Sequence, residues 1–194
     1  EGYFATGKAT KALVVVSEHN SAYSDDRDEQ SGHLWGDGAA AVFISHKRVS
    51  EKDIEIIDLN TQGLGHVGKG TEAVYLRPNE GGLRMPFGKD IFVNASKYMI
   101  SEVKEIMEKN NFPLEEIVHV IPHQANSRII GQVVESLRLR NGELIMNIEE
   151  TGNTGCASTL IAFSQNWERF QKGELIVITV FGGGYSSGAM LLRN

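Results

Sequence analysis

Short apolar runs of strand length alternate along this chain with segments of helical period, and that alternation limits the possible fold more than any other feature. Lys11-Ala12-Leu13-Val14-Val15-Val16-Ser17 is apolar throughout its interior, the pattern of a strand covered on both faces. Gly36-Asp37-Gly38 reads as a tight turn feeding a second buried strand through Ile44, and its run of alanines implies a closely packed neighbour. Ile54–Leu59 reads as a third strand. Residues 63–84 are rich in Gly and polar side chains and read as loops around a short segment at Val74-Tyr75-Leu76. From Phe92 to Asn110, the side chains Phe92, Tyr98, Met99, Val103, Ile106 and Met107 recur at helical spacing. Then come a strand over Ile117–Ile121, a helix over Ser127–Leu137, a short strand over Leu144–Ile148 and a helix over Ala157–Phe170. The chain closes with strands at Leu175–Phe181 and Ala189–Leu192 around Gly182-Gly183-Gly184. The pattern predicts an α/β layered fold. The polar stretch Lys47–Asp53 is the best candidate for a junction, dividing the chain into residues 1–50 and 51–194.

Composition removes several classes of function. A net charge of −6 without a basic tract argues against nucleic acid. Cys156 is the only cysteine, so neither an internal disulfide nor a cysteine-rich metal site is available. His19, His33 and His46 lack metal-ligand spacing and read as surface or loop residues, so no metal is expected. No apolar run approaches the ~18 residues of a membrane span and no signal peptide is evident, so the expected location is the cytoplasm. The first residue is Glu1, not Met, which reads as a cut chain.

Two segments carry candidate chemistry. Pro122-His123-Gln124-Ala125-Asn126 lies between a strand and a helix, at the strand's carboxyl end, where open α/β sheets bind ligands. Gly152-Asn153-Thr154 follows about thirty residues later. His123 and Asn153 can each donate a hydrogen bond to one carbonyl oxygen, as stabilisation of an enolate or oxyanion requires. The plainer alternatives are a histidine capping the next helix and an ordinary turn asparagine. Gly182-Gly183-Gly184 is either a plain hairpin turn or a close backbone approach whose amides serve an oxyanion hole. Cys156 lies among Gly155, Ala157 and Ser158 and reads as a buried small side chain rather than a nucleophile. Gly63-Leu64-Gly65-His66-Val67-Gly68 has the glycine spacing of a dinucleotide fingerprint, but no helix opens on its last glycine.

Gly36-Asp37-Gly38-Ala39-Ala40-Ala41, Pro122–Asn126, Gly152-Asn153-Thr154 and Phe181-Gly182-Gly183-Gly184-Tyr185 follow one another in an order and spacing that resembles β-ketoacyl-acyl-carrier-protein synthase III. The resemblance covers most of the chain. It implies a thiolase-like fold in α-β-α layers, with residues 1–50 as the last strands of the first half and 51–194 as the second half. It also implies decarboxylative Claisen condensation of an acyl primer with malonyl-carrier protein, in fatty acid or related biosynthesis. In that reading His123 and Asn153 hold the enolate oxygen, and the Gly183 amide completes a second oxyanion hole. Asn126, Phe181 and Gly182 line the pantetheine tunnel, and Arg128 docks the acidic carrier protein, unless it is simply a solvated helix arginine. No cofactor is implied; acyl-coenzyme A and malonyl-acyl carrier protein are the substrates, and the full-length enzyme is expected to be a homodimer. The family's nucleophilic cysteine lies upstream of a strand like Lys11–Ser17, so the chain alone is expected to be inactive. Ala22 occupies the place of an arginine that stacks on adenine in better-known synthases, and Met85–Phe92 is one residue longer than usual; both departures concern the acetyl-coenzyme A primer. The competing expectation is a non-catalytic thiolase-fold subunit or scaffold binding a partner chain or carrier protein. Retention of both His123 and Asn153 weighs against it.

Overall fold

The structure is a computed structural model and describes residues 2–139 and 143–194. A one-turn helix α1 (Gly2–Ala5) precedes an antiparallel hairpin of β1 (Lys11–His19) and β2 (Asp37–Ser45), paired from Lys11↔Ser45 to His19↔Asp37. β3 (Glu55–Gly63) begins the main sheet, and β4 (Tyr75–Arg77) and β5 (Gly82–Arg84) form a small hairpin of their own. Then follow α2 (Gly88–Lys109), β6 (Ile117–Pro122), α3 (Ser127–Leu137), β7 (Glu143–Leu144), α4 (Ile148–Thr151), α5 (Ser158–Gln165), β8 (Leu175–Gly182) and β9 (Ser186–Arg193). The main sheet has the order β3-β9-β8-β6-β7; β6 runs parallel to β7 and β8, and β9 returns antiparallel between β8 and β3.

The continuous apolar run Leu175–Ile178 of β8 follows from its place in the sheet, and the one buried hydroxyl after it, Thr179, donates to the Met99 carbonyl at 3.1 Å. Val177 faces one core, with Met99 and Val103 of α2 and Ile129 and Val133 of α3. Ile176 and Ile178 face the other, with Ala162 and Phe163 of α5. Helices therefore cover both faces, giving the α-β-α layering, and alternation of polar and apolar residues would bury a polar side chain.

Several boundaries differ from the sequence reading, each for a local reason. α2 starts at Gly88 because Asp90 in its first turn accepts the Lys69 N–H at 2.8 Å and the Tyr185 hydroxyl at 2.9 Å. Its buried face is Ile91, Ala95, Met99, Val103, Ile106 and Met107. The predicted strand over Leu144–Ile148 is only β7; at Asn147 the backbone turns into α4, and the Asn147 carbonyl accepts the Thr151 N–H at 3.0 Å. α5 stops at Gln165, well short of Phe170, so that the Phe170 ring can fold back on Phe163, with centroids 5.4 Å apart.

The hairpin departs most from expectation. β1 and β2 were expected to be covered on both faces, yet only one face is. Leu13, Val15 and Phe43 are 65%, 64% and 57% exposed on the outer face. The inner face carries Gly38, which packs on Ile161 and Thr154.

Between β3, β9 and α2 lies a buried carboxylate. Glu102 is 1% exposed and accepts hydrogen bonds from Gln62 Nε2 and Ser187 Oγ, both at 2.5 Å, and from the Asn60 side-chain amide. Glu102→Leu would leave the buried Ser187 hydroxyl and the half-buried Asn60 amide without this acceptor, while Gln62 is exposed and can turn to water. We expect it to cost about 3 kcal/mol, and Glu102→Gln clearly less, read as the shift in urea unfolding midpoint at constant slope.

Candidate active site

His123 sits just past the carboxyl end of β6, and the turn that holds it is tightly determined. Its N–H donates to the Thr179 carbonyl of β8 at 2.8 Å, and its own carbonyl accepts the Ala125 N–H at 2.9 Å. Gln124, fully buried, ties this turn to the neighbouring segment. Its Nε2 donates to the Pro122 carbonyl at 2.7 Å, and its Oε1 accepts the Asn147 N–H at 3.1 Å. A buried glutamine bonded to backbone on both sides is a spacer of fixed length. The one signal for Gln124 in the sequence is a polar residue directly after the candidate histidine.

The His123 ring meets Ser158 at the start of α5, with Nδ1···Oγ at 2.8 Å. The same hydroxyl accepts the Gln124 N–H at 3.4 Å. The assignment that satisfies all three groups has Ser158 donating to Nδ1, which puts the imidazole proton on Nε2. Burial pushes the His123 pKa down from 6.5 to about 4, with the Glu18 carboxylate opposing the shift in part. His123 is therefore a neutral imidazole near pH 7. Ser158 also went unrecognised in the sequence, since its partner is 35 residues away.

Because the folded pKa of His123 lies below the unfolded one, stability from the neutral ring is complete above about pH 6.5 and is lost as pH falls towards about 4. The contribution is on the order of 3 kcal/mol. Urea unfolding of the wild type and of His123→Gln at pH 7 and pH 4.5 should show this component in the wild type alone.

Asn153 is held by the hairpin. Gly152 takes a left-handed conformation with φ +65°, and the Asn153 N–H donates to the Leu34 carbonyl at 2.8 Å. The Asn153 carbonyl accepts the Gly36 N–H at 3.0 Å and Asn20 Nδ2 at 3.2 Å. Its side-chain Oδ1 accepts the Gly155 N–H at 3.0 Å, which fixes the orientation of the amide and leaves Nδ2 as the donor end. Gly36 has to be glycine here, because a Cβ at that position would lie 1.8 Å from the Thr151 carbonyl oxygen.

The remaining expected residues divide. Gly183 lies in the β8–β9 turn against Val74; an added Cβ would come within 3.3 Å of the Val74 Cβ. The Phe181 ring is buried in the core between Tyr98 and Tyr185, with centroid distances of 6.3 and 4.7 Å. Asn126 caps α3, its Oδ1 accepting the Arg128 N–H at 2.9 Å, and Arg128 is exposed in the first turn. Cys156 reads in the sequence as a buried small side chain but is exposed, and its backbone N–H donates to Glu18 Oε1 at 2.9 Å. Its thiol pKa is pushed up by partial desolvation against the neighbouring turn and by the hydrogen bond and charge of Glu18, the opposite of what a nucleophile needs. Among the described residues no cluster of three or more His, Cys, Asp or Glu is placed to hold a metal ion, and no helix is long and apolar enough to cross a membrane.

Comparison with known proteins matches the chain to one family. Residues 107–194 match the family described as 3-oxoacyl-[acyl-carrier-protein] synthase III C terminal, and residues 1–65 match 3-oxoacyl-[acyl-carrier-protein] synthase III. The β-ketoacyl-[acyl-carrier-protein] synthase III of Aquifex aeolicus is 34% identical over 195 residues, covering 100% of this chain and 60% of that protein. The protein of the same description from Clostridium perfringens is 34% identical over 204 residues, covering 97% of this chain and 60% of its own length. The chain thus spans about 60% of the length of the curated relatives it matches. The crystal structure of the Aquifex aeolicus synthase III superposes with a TM-score of 0.87, covering 100% of this chain and 61% of that one. That of Pseudomonas aeruginosa superposes with the same score at 27% identity, covering 99% and 60%.

Proposed function

The chain belongs to the 3-oxoacyl-[acyl-carrier-protein] synthase III family, and we propose that it supplies the enolate-stabilising part of a decarboxylative Claisen condensation. The observation that carries this reading is that each of the two side chains is oriented by a bond to its accepting atom. Ser158 occupies Nδ1 of His123, and the Gly155 amide occupies Oδ1 of Asn153. Nε2–H and Nδ2–H remain for a substrate oxygen.

A malonyl thioester enters with its carbonyl oxygen at these donors. The bond between the α-carbon and the carboxylate breaks, carbon dioxide leaves, and the electron pair moves into an enolate whose oxygen the two donors hold. The α-carbon then attacks the carbonyl of an acyl thioester, a carbon–carbon bond forms, and the thiolate departs. No proton has to move onto His123, so a ring that stays neutral down to about pH 4 suits the step. The Gly183 amide would serve the acyl carbonyl's oxyanion. The acyl-bearing thiol is a cysteine other than Cys156, whose raised pKa does not fit that role.

The substrates in this reading are malonyl-acyl carrier protein and an acyl-coenzyme A or acyl-carrier-protein primer. The carrier protein docks near Arg128 and its pantetheine arm passes Asn126 and Gly182. A homodimer working in the cytoplasm completes the proposal. Its experiment is release of carbon dioxide from malonyl-carrier protein by the intact protein, with and without an acyl primer. Primer-dependent release with a 3-oxoacyl product supports condensation; absence of both release and product overturns it.

A further inference from the structure

β1 delivers one charged side chain into the neighbourhood of His123 and Asn153 for which the proposed chemistry has no use. Glu18 is half-buried near the end of β1. Its Oε1 accepts the Cys156 N–H at 2.9 Å, across a sequence separation of 138 residues. A Cβ on Gly155 would lie 2.4 Å from the same oxygen, so the carboxylate is seated directly against the Gly155–Cys156 backbone. Gly155 itself is left-handed, with φ +51°, and its N–H is the one that orients the Asn153 side chain. The carboxylate, the Gly155–Cys156 turn and the Asn153 amide therefore form one continuous chain of contacts. Two residues beyond Glu18, Asn20 holds the Asn153 carbonyl from the other side.

We propose that Glu18 is a positioning residue for the enolate site: its carboxylate clamps the Gly155–Cys156 turn and through it sets the direction of the Asn153 NH₂ group. This rests on the condensing function proposed above. Glu18 is also the charged side chain that acts on both His123 and Cys156. It opposes the burial-driven fall of the His123 pKa and adds to the rise of the Cys156 pKa. Cys156 is thereby a built-in reporter of the Glu18 charge, independent of any enzymatic activity.

The experiment uses Glu18→Gln and Glu18→Asp in the intact protein, with two readouts. The first is the rate of Cys156 alkylation by iodoacetamide between pH 7 and pH 10, followed by peptide mapping. Each pH unit by which the thiol pKa falls raises the thiolate fraction below that pKa about tenfold. We expect Glu18→Gln to alkylate faster than wild type and with a lower pH midpoint, and Glu18→Asp to lie between. The second readout is malonyl decarboxylation. We expect Glu18→Gln to lower kcat about 10- to 100-fold with a smaller change in KM, because a displaced donor loses transition-state contact before it loses binding. Partial recovery in Glu18→Asp would tie the effect to the carboxylate. Unchanged alkylation in Glu18→Gln overturns the contact. Altered alkylation with undiminished kcat overturns the positioning role. A wild type lacking decarboxylation altogether counts against the condensing function, while the alkylation series still decides the Glu18 contact by itself.

Discussion

His123→Ala should retain the fold and lose malonyl decarboxylation by about 10²- to 10³-fold, the loss expected for removing one preorganised donor from an oxyanion site. The ring bonds only Ser158 through its side chain among the described residues, and the backbone contacts to Thr179 and Ala125 do not need it. Loss of the ring therefore touches the reaction far more than the scaffold. Asn153→Asp should do equal or greater damage by a different route. The carboxylate can still accept the Gly155 N–H but presents an anionic oxygen in place of the NH₂ donor, opposite an oxygen that is itself becoming negative. KM for the malonyl thioester should change less than kcat in both variants, since the ground-state carbonyl is a weaker acceptor than the enolate. Initial rates of carbon dioxide release check both. A loss confined to KM would place these residues in binding alone.

Gly36→Ala should have the largest structural effect of any single methyl group added near the site. The new carbon would lie 1.8 Å from the Thr151 carbonyl oxygen and 3.4 Å from Thr154 Cγ2, and the first of these is backbone that cannot rotate away. Either β2 or the segment from Thr151 to Asn153 must move, and the Gly36 N–H bond to the Asn153 carbonyl goes with it. We expect destabilisation of about 3 kcal/mol, the upper part of the overpacking range, together with loss of decarboxylation. Gly131→Ala is the control. It lies inside α3 with nothing within 4 Å of the added carbon, and it should stabilise by up to about 1 kcal/mol. Urea unfolding of both variants separates a general glycine effect from the specific clash.

The order and type of the main elements were legible because each carries a local signal. The Ile129, Ile130, Val133 and Leu137 stripe marked α3 to its observed ends. Where an end depends on a distant partner, the sequence is silent. α2 begins early because Asp90 meets Lys69 and Tyr185, and α5 ends early because Phe170 returns to Phe163. The hairpin shows the same limit. Its apolar run resembles a doubly covered strand, yet its outer face, with Leu13, Val15 and Phe43, is uncovered in this chain. Apolar character records a tendency to be buried and does not say what does the burying. In the candidate site, His123 and Asn153 stand out in the sequence by their proline and glycine neighbours. Ser158, Gln124 and Glu18 do not, because their work consists of single hydrogen bonds to residues remote in sequence.

A double-mutant cycle on malonyl decarboxylation tests most directly whether His123 and Asn153 act together on one oxygen. His123→Ala, Asn153→Ala and the double variant would be assayed as intact proteins, with unfolding curves to confirm that each is folded. Residues that work as a unit lose most of their effect with the first removal. The predicted result is a double variant scarcely slower than the slower single one. Losses that multiply in full, or a single variant with wild-type kcat, would contradict it.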